Sequence, residues 1–380
     1  MNDSPARLSS LDAFRGFTIA AMVLVNNPGD WSNLYPQLEH AKWNGWTFTD
    51  AIFPFFLFIG GVSMALSLGR LAAAGADKPR LLAKLAKRAL LIFAIGFALN
   101  LIPNFNFNTV RVPGVLQRIA LCTLLAAPIV VYCGWRVQLA IIAALLALYS
   151  VLMLWIPVPG IGAGVLEPGQ DFGAWVDRML LNGHLWVQSR TWDPEGLVST
   201  LPALCSQLLG VLAGRWLLSN YSRTEQTVWM LLAGLLFLAL GSTFDSILMP
   251  INKSLWTPSY ALLMTGWALL AFAGFYWLLD VNPHQAVRAA AARWAAPFSI
   301  YGMNALFIFA FSGLLAKMFG FIKFVQPDGS KLSLGRTLYA PIRALPIGAV
   351  NTSLLYALLF NACMFAIAWC MWRKKWFVKV

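Results

Sequence analysis

The chain alternates long runs of apolar residues with short polar connections. Each run is close to the length of about 20 residues that crosses the hydrocarbon core of a bilayer as a helix. The pattern predicts an all-α integral membrane protein, a polytopic bundle of about ten transmembrane helices that forms a single domain over residues 1–380. The predicted spans are Leu11 to Asn26, Phe48 to Leu68, Leu82 to Leu101, Val115 to Cys133, Leu139 to Ile156, Leu197 to Leu218, Val228 to Leu248, Tyr260 to Leu279, Pro297 to Met318 and Ile347 to Trp372.

The composition agrees with a membrane protein. Hydrophobic residues make up 59% of the chain and charged residues 11%, against about 25% charged residues in a soluble domain. The net charge of +13 does not require a nucleic-acid partner, because most Lys and Arg fall in connections that lie on one side of the predicted bundle. That distribution follows the positive-inside rule and predicts that both termini are cytoplasmic.

The cysteines and histidines give no sign of a metal site. Five Cys lie in or at the ends of apolar spans, which indicates packing, and three His show no ligand spacing. We therefore expect no metal cofactor. The long connections Pro28 to Thr47, Pro157 to Gly196 and Gly320 to Pro346 all fall on the predicted outer side, so we expect the binding site to open there.

The first of these connections runs into a span through the stretch EHAKWNGWTFTDAIFPFF. A single histidine in a loop is more often structural than catalytic, but His40 has chemically capable neighbours. Trp43 offers an apolar ring that can stack on a sugar, and Asn44 offers both a donor and an acceptor. Asp50 begins an apolar helix, where a carboxylate requires a partner. Orienting the His40 imidazole or holding a substrate amine would provide one.

Two further polar groups lie on the same side. WDPEG places Asp193 and Glu195 just before the sixth predicted span, where a helix N-cap with an acidic first turn is the alternative interpretation. PINKSLW places Asn252 and Lys253 before the eighth span, where turn chemistry alone is the alternative. We predict that all four side chains contact the acceptor substrate.

Ionisable residues inside spans are candidates for function, because each costs about 2.5 to 3.5 kcal/mol to insert. Arg118, with Gln117 beside it, lies one to two turns into the fourth span and requires an anion. Arg15 lies one turn after Asp12, so an interfacial ion pair and a role at a cytoplasmic ligand entry both remain open.

Two asparagines complete the set of candidates. Asn26 ends the first span and is either a helix stop or a catalytic amide. Asn304 lies inside the ninth predicted span, and we predict that it also contacts the acceptor substrate. Rings, carboxylates and amides around one His suit an amino sugar, whereas buried Arg118 suits a phosphate-bearing ligand. Group transfer across a membrane and an amino-sugar permease are the two hypotheses, and binding of acetyl-CoA separates them.

RLSSLDAFRG, MVLVNN, HAKWNGWTFTD, FPFFLFIGGVS, RVPGVLQR, WDPEG, PINKSLW and YGMN occur in this order. In these motifs the chain resembles the heparan-α-glucosaminide N-acetyltransferase family, within the wider transmembrane acyltransferase superfamily. The resemblance implies an enzyme that takes acetyl from cytoplasmic acetyl-CoA and transfers it to the amine of a glucosamine-type sugar on the far side of the membrane. It also implies a homodimer.

The resemblance also implies roles for residues. The family's histidine falls on His40, the carboxylate ten residues later on Asp50, and the asparagine that ends its first catalytic helix on Asn26. Arg15 in FRG, and Gln117 and Arg118 in LQR, are implied to lie near coenzyme A. The lack of a large added domain points to a bacterial inner-membrane protein and to a free amino sugar or a cell-wall fragment as acceptor.

We expect His40 to act as general base, with Asp50 setting its tautomer and Asn26 or Asn44 stabilising the oxyanion. An acetyl-His40 intermediate is the competing route.

Overall fold

The computed structural model describes residues 8–325 and 329–378; both ends of the chain lie outside these ranges, so the predicted location of the termini remains a prediction. The described residues form mainly helices. These are α1 Ser9–Val25, α2 Phe48–Met64, α3 Arg70–Ala73, α4 Lys78–Leu101, α5 Val115–Tyr132, α6 Trp135–Trp155, α7 Phe172–Leu181, α8 Thr200–Leu217, α9 Arg223–Ile247, α10 Pro258–Tyr276, α11 Gln285–Met303, α12 Ala305–Phe321, α13 Leu334–Arg343 and α14 Ala349–Arg373.

Among the described residues, six helices are long and apolar enough to cross a membrane. One is α2 continued through a π turn, Ala65–Gly69, into α3, and another is α10 continued through a second π turn, Trp277–Val281. The other four are α5, α6, α9 and α14. The number becomes seven if α11 and α12 form one broken span, so multiple membrane passes are supported and the count of ten remains a prediction.

The ninth predicted span is wrong as a continuous helix. Within Pro297 to Met318, α11 ends at Met303 and α12 begins at Ala305, and the two axes differ by 74°. Asn304 between them has φ −124° and ψ 32°, which is outside the helical region. Its side-chain amide bonds to the backbone of the segment after α14. Apolar composition alone does not reveal a break of this kind.

Two of the long connections that are predicted to lie outside contain α-helices or strands that the sequence analysis did not predict. Helix α7 lies in the second connection. The third contains a two-stranded antiparallel hairpin of β1, Lys323–Val325, and β2, Lys331–Ser333, followed by α13. Both helices begin at a residue whose side chain caps the first turn, Asp171 for α7 and Ser333 for α13.

Glycines allow the central helices to approach closely. Gly210 and Gly214, four residues apart on α8, lie against the backbone of α2 at Phe58 and Val62, where an added Cβ would come within 2.0 Å and 2.8 Å of carbonyl oxygens. Such small-residue spacing is typical of tightly packed membrane helices. The close contact fixes α2, and with it the residues at its beginning.

Contacts between helix ends define one end of the bundle. The Asp30 amide, just after α1, donates to Ser353 Oγ near the start of α14 at 3.0 Å. Tyr260, in the first turn of α10, donates its hydroxyl to the carbonyl of Asp50 in the first turn of α2 at 2.6 Å. We call this the His40 end; it is the side that the sequence analysis predicts to be outside.

Candidate active site

The loop that carries His40 is pinned at both sides. The Gly45 amide donates to the Ile251 carbonyl at 2.7 Å, which joins this loop to the connection before α10. Thr47 Oγ1 donates to the Glu39 carbonyl at 2.6 Å and so closes the loop on itself. Gly45 has φ +95°, a conformation that favours glycine. The loop held in this way places His40 next to the first turn of α2, within hydrogen-bond distance of Asp50.

Asp50 is the centre of the hydrogen-bond network at this position. Its Oδ1 accepts from His40 Nδ1 at 2.7 Å, and its Oδ2 accepts from the Ala41 amide at 3.0 Å and the Thr47 amide at 3.0 Å. The Asp50 side chain is 1% exposed, whereas the His40 side chain is 47% exposed. Because a carboxylate only accepts, the proton of the neutral ring lies on Nδ1, and Nε2 is the ring nitrogen without a proton.

Lys253 adds a positive charge beside the imidazole. Its Nζ lies 3.0 Å from His40 Nδ1, 3.1 Å from His40 Nε2 and 3.6 Å from Asp50 Oδ1. A point this close to both ring nitrogens would overlap ring carbons if it lay in the ring plane, so the ammonium lies against the ring face. We call His40, Asp50 and Lys253 the histidine centre.

Hydrogen bonds hold the loop that carries Lys253 in place. Asn252 is fully buried, and its Oδ1 accepts from the Leu255 amide at 2.9 Å while its Nδ2 donates to Asn44 Oδ1 at 3.2 Å. Tyr149 donates its hydroxyl to the Leu255 carbonyl at 2.5 Å. The Asn252 side chain therefore does form a turn, as the alternative interpretation holds, and its amide nitrogen also links this loop to the His40 loop.

WDPEG is not the cap of α8, so that alternative is wrong; the helix starts at Thr200, several residues later. Asp193 instead accepts two bonds from Arg111, from Nε at 2.8 Å and from Nη2 at 2.5 Å, and Glu195 accepts from Nη2 at 2.5 Å. The two carboxylate side chains are 0% and 9% exposed. We call Arg111, Asp193 and Glu195 the arginine centre.

The ionisable groups around the arginine centre influence one another. Burial alone would raise the pKa of Glu195, but the charge of Arg111 and then those of Arg118 and Lys253 lower it. Burial lowers the pKa of Lys253, and the charges of Asp50 and then Glu195 oppose this. The two centres therefore interact electrostatically through Glu195 and Lys253.

Asp177 lies beside the arginine centre on α7. Its Oδ1 accepts from the Leu197 amide at 2.9 Å. Burial, opposed by that hydrogen bond and assisted by the charge of Asp193, raises its pKa to about 7. With Asp171, Asp193, Tyr149 and others it lines a cavity of about 10 Å³, the size of about one water molecule.

Arg118 and Gln117 lie at the same end of the bundle. Arg118 is 1% exposed, stands over the Trp256 ring at 5.3 Å, and donates Nη2 to the Gly196 carbonyl at 3.0 Å and to Ser199 Oγ. Among the described residues, its Nε and Nη1 and the Gln117 Nε2 have no hydrogen-bond partner. Three buried donor atoms are thus left unpaired among the described residues.

Arg15 and Asn304 lie far from His40. Arg15 Nη2 donates to Ser63 Oγ at 2.8 Å, and Ser63 lies 13 residues after Asp50 on the same helix, α2, or about 20 Å. Asn304 donates to the Trp376 carbonyl at 3.0 Å and accepts from the Val378 amide at 2.9 Å. Its amide is therefore used in anchoring the segment after α14, and the structure does not place Asn304 in the predicted acceptor site.

Trp43 and Asn26 have different surroundings. Trp43 is half-buried, donates Nε1 to the Leu166 carbonyl at 2.9 Å and contacts Trp192 edge to face at 5.2 Å. Asn26 caps α1 through its backbone amide, which donates to the Met22 carbonyl at 3.1 Å, and its side chain is exposed. Within the described residues, no hydrogen bond joins Asn26 to His40 or Asp50.

The sequence analysis missed several residues that shape the site. Arg111 and Asp177 are ionisable residues of connecting segments, and Thr47, Trp256 and Tyr260 support the histidine centre or Arg118. The sequence signal that could have identified Arg111 is an arginine in one connecting loop and two carboxylates, Asp193 and Glu195, in another loop predicted to lie on the same side. No group of three or more metal-binding side chains occurs in the part of the chain that the structure describes; the absence of a metal stays a prediction.

Comparison with known proteins identifies the family. Residues 7–242 match the family model described as heparan-alpha-glucosaminide N-acetyltransferase, catalytic. The Homo sapiens heparan-alpha-glucosaminide N-acetyltransferase is 32% identical over 361 residues, covering 80% of this chain and 52% of that protein. The Mus musculus protein of the same name is 29% identical over 374 residues, covering 84% and 55%.

This chain thus spans about half the length of the curated relatives it matches. Both relatives carry the name of an N-acetyltransferase, and the permease hypothesis receives no support. The match extends over more than half of the chain and confirms the resemblance seen in the motifs. The chain belongs to the family of heparan-alpha-glucosaminide N-acetyltransferase catalytic regions.

Proposed function

We propose that this chain is a membrane acetyltransferase that moves acetyl from acetyl-CoA to the amine of a glucosamine-type sugar. The observation that carries the proposal is the His40–Asp50 pair. A buried carboxylate holds Nδ1 of a half-exposed imidazole at 2.7 Å, which leaves Nε2 directed away from the carboxylate as a base. This arrangement suits a reaction in which an amine must lose a proton as it is acylated.

In the direct route the amine nitrogen attacks the thioester carbonyl, and His40 Nε2 takes the proton that the amine loses. The N–C bond forms, the C–S bond breaks, and the thiolate leaves on coenzyme A. Asp50 stabilises the imidazolium through Nδ1 because its Oδ1 already accepts that proton at 2.7 Å. In the competing route Nε2 itself attacks the thioester, and the amine then takes acetyl from His40.

Asn44 is the better placed of the two candidate oxyanion donors. Its Oδ1 accepts from Asn252, which leaves its Nδ2 available to donate to a developing negative charge. Asn26 keeps the role that the resemblance implies, in which its exposed amide donates to the bound substrate. We assign Trp43, Asp193, Glu195, Asn252 and Lys253 to the side of the site that binds the acceptor. Asp193 and Glu195 act there indirectly, because their bonds to Arg111 hold the surrounding loops in place.

The acyl donor is proposed to extend along the bundle. Gln117 and Arg118 lie at the His40 end with unpaired buried donors, which suit carbonyl oxygens of the donor. Arg15 lies at the opposite end, about 20 Å away along α2, and suits a phosphate. A long ligand that reaches from Arg15 to His40 would place its thioester next to Nε2.

The orientation in the membrane is proposed from the charges. The connections at the end opposite His40 carry most of the Lys and Arg, so the positive-inside rule places that end in the cytoplasm. The chain then takes acetyl-CoA from the cytoplasm and acetylates a periplasmic sugar, in the inner membrane of a bacterium. A homodimer remains an implication of the family resemblance.

The test is transfer of radiolabelled acetyl from acetyl-CoA to glucosamine by the detergent-purified full chain. Wild type should form labelled N-acetylglucosamine, and His40→Ala should lose at least about a hundredfold in rate. His284→Ala is the matched control, because His284 is exposed at the start of α11, where its side chain does not cap the helix. It should keep the wild-type rate.

Near-normal transfer by His40→Ala would refute the assignment of the base. If wild type transfers nothing but acetyl-CoA raises its melting temperature, as a ligand of the native state does, the proposed acceptor is wrong. If acetyl-CoA neither transfers nor binds, the acetyltransferase proposal itself fails. Acid quenching without sugar separates the two routes, since only the second leaves label on His40.

A further inference from the structure

The hairpin and α13 form a basic surface with no assigned role. Lys323, Lys331, Arg336 and Arg343 are all exposed there, and we call these four residues the basic face. They are four of the eleven Lys and Arg that the charge distribution assigns to the outer side. Because basic residues are normally depleted on that side, this concentration indicates a specific anionic partner.

Helix α13 separates its apolar and basic residues. Leu334, Leu338 and Ile342 recur every four residues and form one stripe. Arg336 and Arg343 lie seven residues apart and therefore share the opposite face. A short helix with an apolar stripe and arginines opposite it is typical of helices that lie in the plane of a membrane interface.

Neighbouring apolar side chains are exposed as well. Phe321 is 54% exposed, Phe324 47%, Val325 70% and Leu338 44%. Exposed apolar side chains of this size require a cover, and a free phosphate or a soluble polyanion would leave them in water. A lipid covers them with acyl chains while its headgroup meets the cations.

The position of α13 is fixed by packing against the bundle. Tyr339 is 7% exposed, and its hydroxyl bonds to Thr352 Oγ1 at 3.0 Å. Gly29, just after α1, allows this contact, since an added Cβ would come within 2.5 Å of the Tyr339 ring. The basic face is therefore held at the His40 end of the bundle, at the level where α14 begins.

The four cations are not neutralised by close contacts. Among the described residues, no carboxylate oxygen lies within 4.0 Å of any of them; Asp328 lies outside those residues. Asp30 is near enough that, after hydrogen bonds from Ser32 and Asn33, the charges of Arg343 and Arg336 lower its pKa.

We infer that the basic face binds the phosphate of an anionic phospholipid in the leaflet at the His40 end, with the exposed apolar side chains beside it against the acyl chains. The bound lipid would anchor α13 in the plane of the interface, beside the connection between α12 and α14. This inference does not depend on acetyl transfer.

The test is thermal unfolding of the detergent-purified full chain titrated with phosphatidylglycerol. We expect the lipid to raise the melting temperature of wild type, while neutral phosphatidylcholine has much less effect. In Arg336→Gln/Arg343→Gln, and separately in Lys323→Gln/Lys331→Gln, the phosphatidylglycerol needed for half the effect should rise by about tenfold, because each cation contributes to binding an anionic surface.

The matched control is Lys42→Gln/Arg190→Gln, which removes two exposed cations from the same end of the bundle; its response should equal that of wild type. The inference is overturned if wild type does not respond, if all variants respond alike, or if soluble glycerophosphoglycerol gives the full effect. The last outcome would indicate a site for a soluble anion. Since the four residues are exposed, the variants should fold normally.

Discussion

The histidine centre and the arginine centre are both built from buried carboxylates and cations at the same end of the bundle, yet they differ in how completely the charges are paired. Arg111 is held by Asp193 in a two-bond fork and also by Glu195. In the histidine centre, His40 uses one nitrogen for Asp50, and 47% of its side chain is exposed.

This difference suits the arginine centre to a structural role and the histidine centre to the proposed reaction. Arg111 already donates three hydrogen bonds to the two carboxylates, so the arginine centre mainly fixes WDPEG against the loop before α5. In the histidine centre, His40 Nε2 has no carboxylate partner among the described residues and lies 3.1 Å from the Lys253 ammonium, while the Asp50 carboxylate is buried in the first turn of α2. A general base requires this incomplete pairing.

The largest expected effect is on the histidine centre. Asp50→Asn should reduce acetyl transfer by about 10²–10⁴-fold, because a neutral amide no longer holds the imidazole tautomer or stabilises the imidazolium. Its oxygen still accepts from the Thr47 amide, so the chain should stay folded. Initial rates under saturating substrates measure this, with Glu39→Gln, an exposed carboxylate of the same loop, as control. An equal loss in both variants would contradict the assignment.

The arginine centre should respond in stability rather than in chemistry. Arg111→Met leaves two carboxylates buried without their cation, and removing one partner of a buried pair typically costs about 3–5 kcal/mol. Unfolding of the purified chain measures this. Arg190→Met, an exposed arginine of a nearby connection, should change the free energy of unfolding by less than about 0.5 kcal/mol. Similar values for both would show that the buried pairing contributes little.

Asp177, beside the arginine centre, should make the stability of the folded chain depend on pH. Its pKa is raised from 3.8 to about 7 in the folded chain, so the folded state holds this proton more tightly than the unfolded state. The resulting stability is complete below about pH 4 and is lost as the pH rises through 7. Asp177→Asn should remove this component, on the order of 2–4 kcal/mol, while its oxygen still accepts from Leu197.

The measurement is the free energy of unfolding against pH for wild type and Asp177→Asn. The variant should gain stability relative to wild type as the pH passes from 4 to 7, and the two curves should run parallel above that range. Parallel curves throughout would mean that burial does not hold a proton on Asp177.

The smallest effect is expected where the two centres meet. Lys253→Met removes the cation that lies 3.0 Å from His40 Nδ1 and 3.6 Å from Asp50 Oδ1. The rate of acetyl transfer should fall by up to about tenfold, because a charge interaction at this distance is worth about 1–4 kcal/mol and about 1.4 kcal/mol is tenfold in rate. Lys253→Arg, which keeps the charge, should retain most of the wild-type rate. Equal losses in Lys253→Met and Lys253→Arg would show that the charge of Lys253 does not contribute.

Particular residues show how far the sequence carried the prediction. The spacing of His40 and Asp50 placed both at the mouth of a span, and the structure joins them at 2.7 Å. Asn304 shows the limit, because its apolar surroundings predicted a continuous span whereas the chain bends by 74° there. The bend depends on hydrogen bonds to Trp376 and Val378, which are more than 70 residues away along the chain.

The sequence by itself determined the membrane character, the order of most helices and the residues of the histidine centre, because hydropathy and local motifs act over short stretches of chain. Tertiary structure alone decided which charges pair. Arg111 meets Asp193 across 82 residues, and Lys253 meets His40 across 213. Such partners are chosen when glycine-lined helices pack and bring distant loops to one end, and no local pattern encodes that choice.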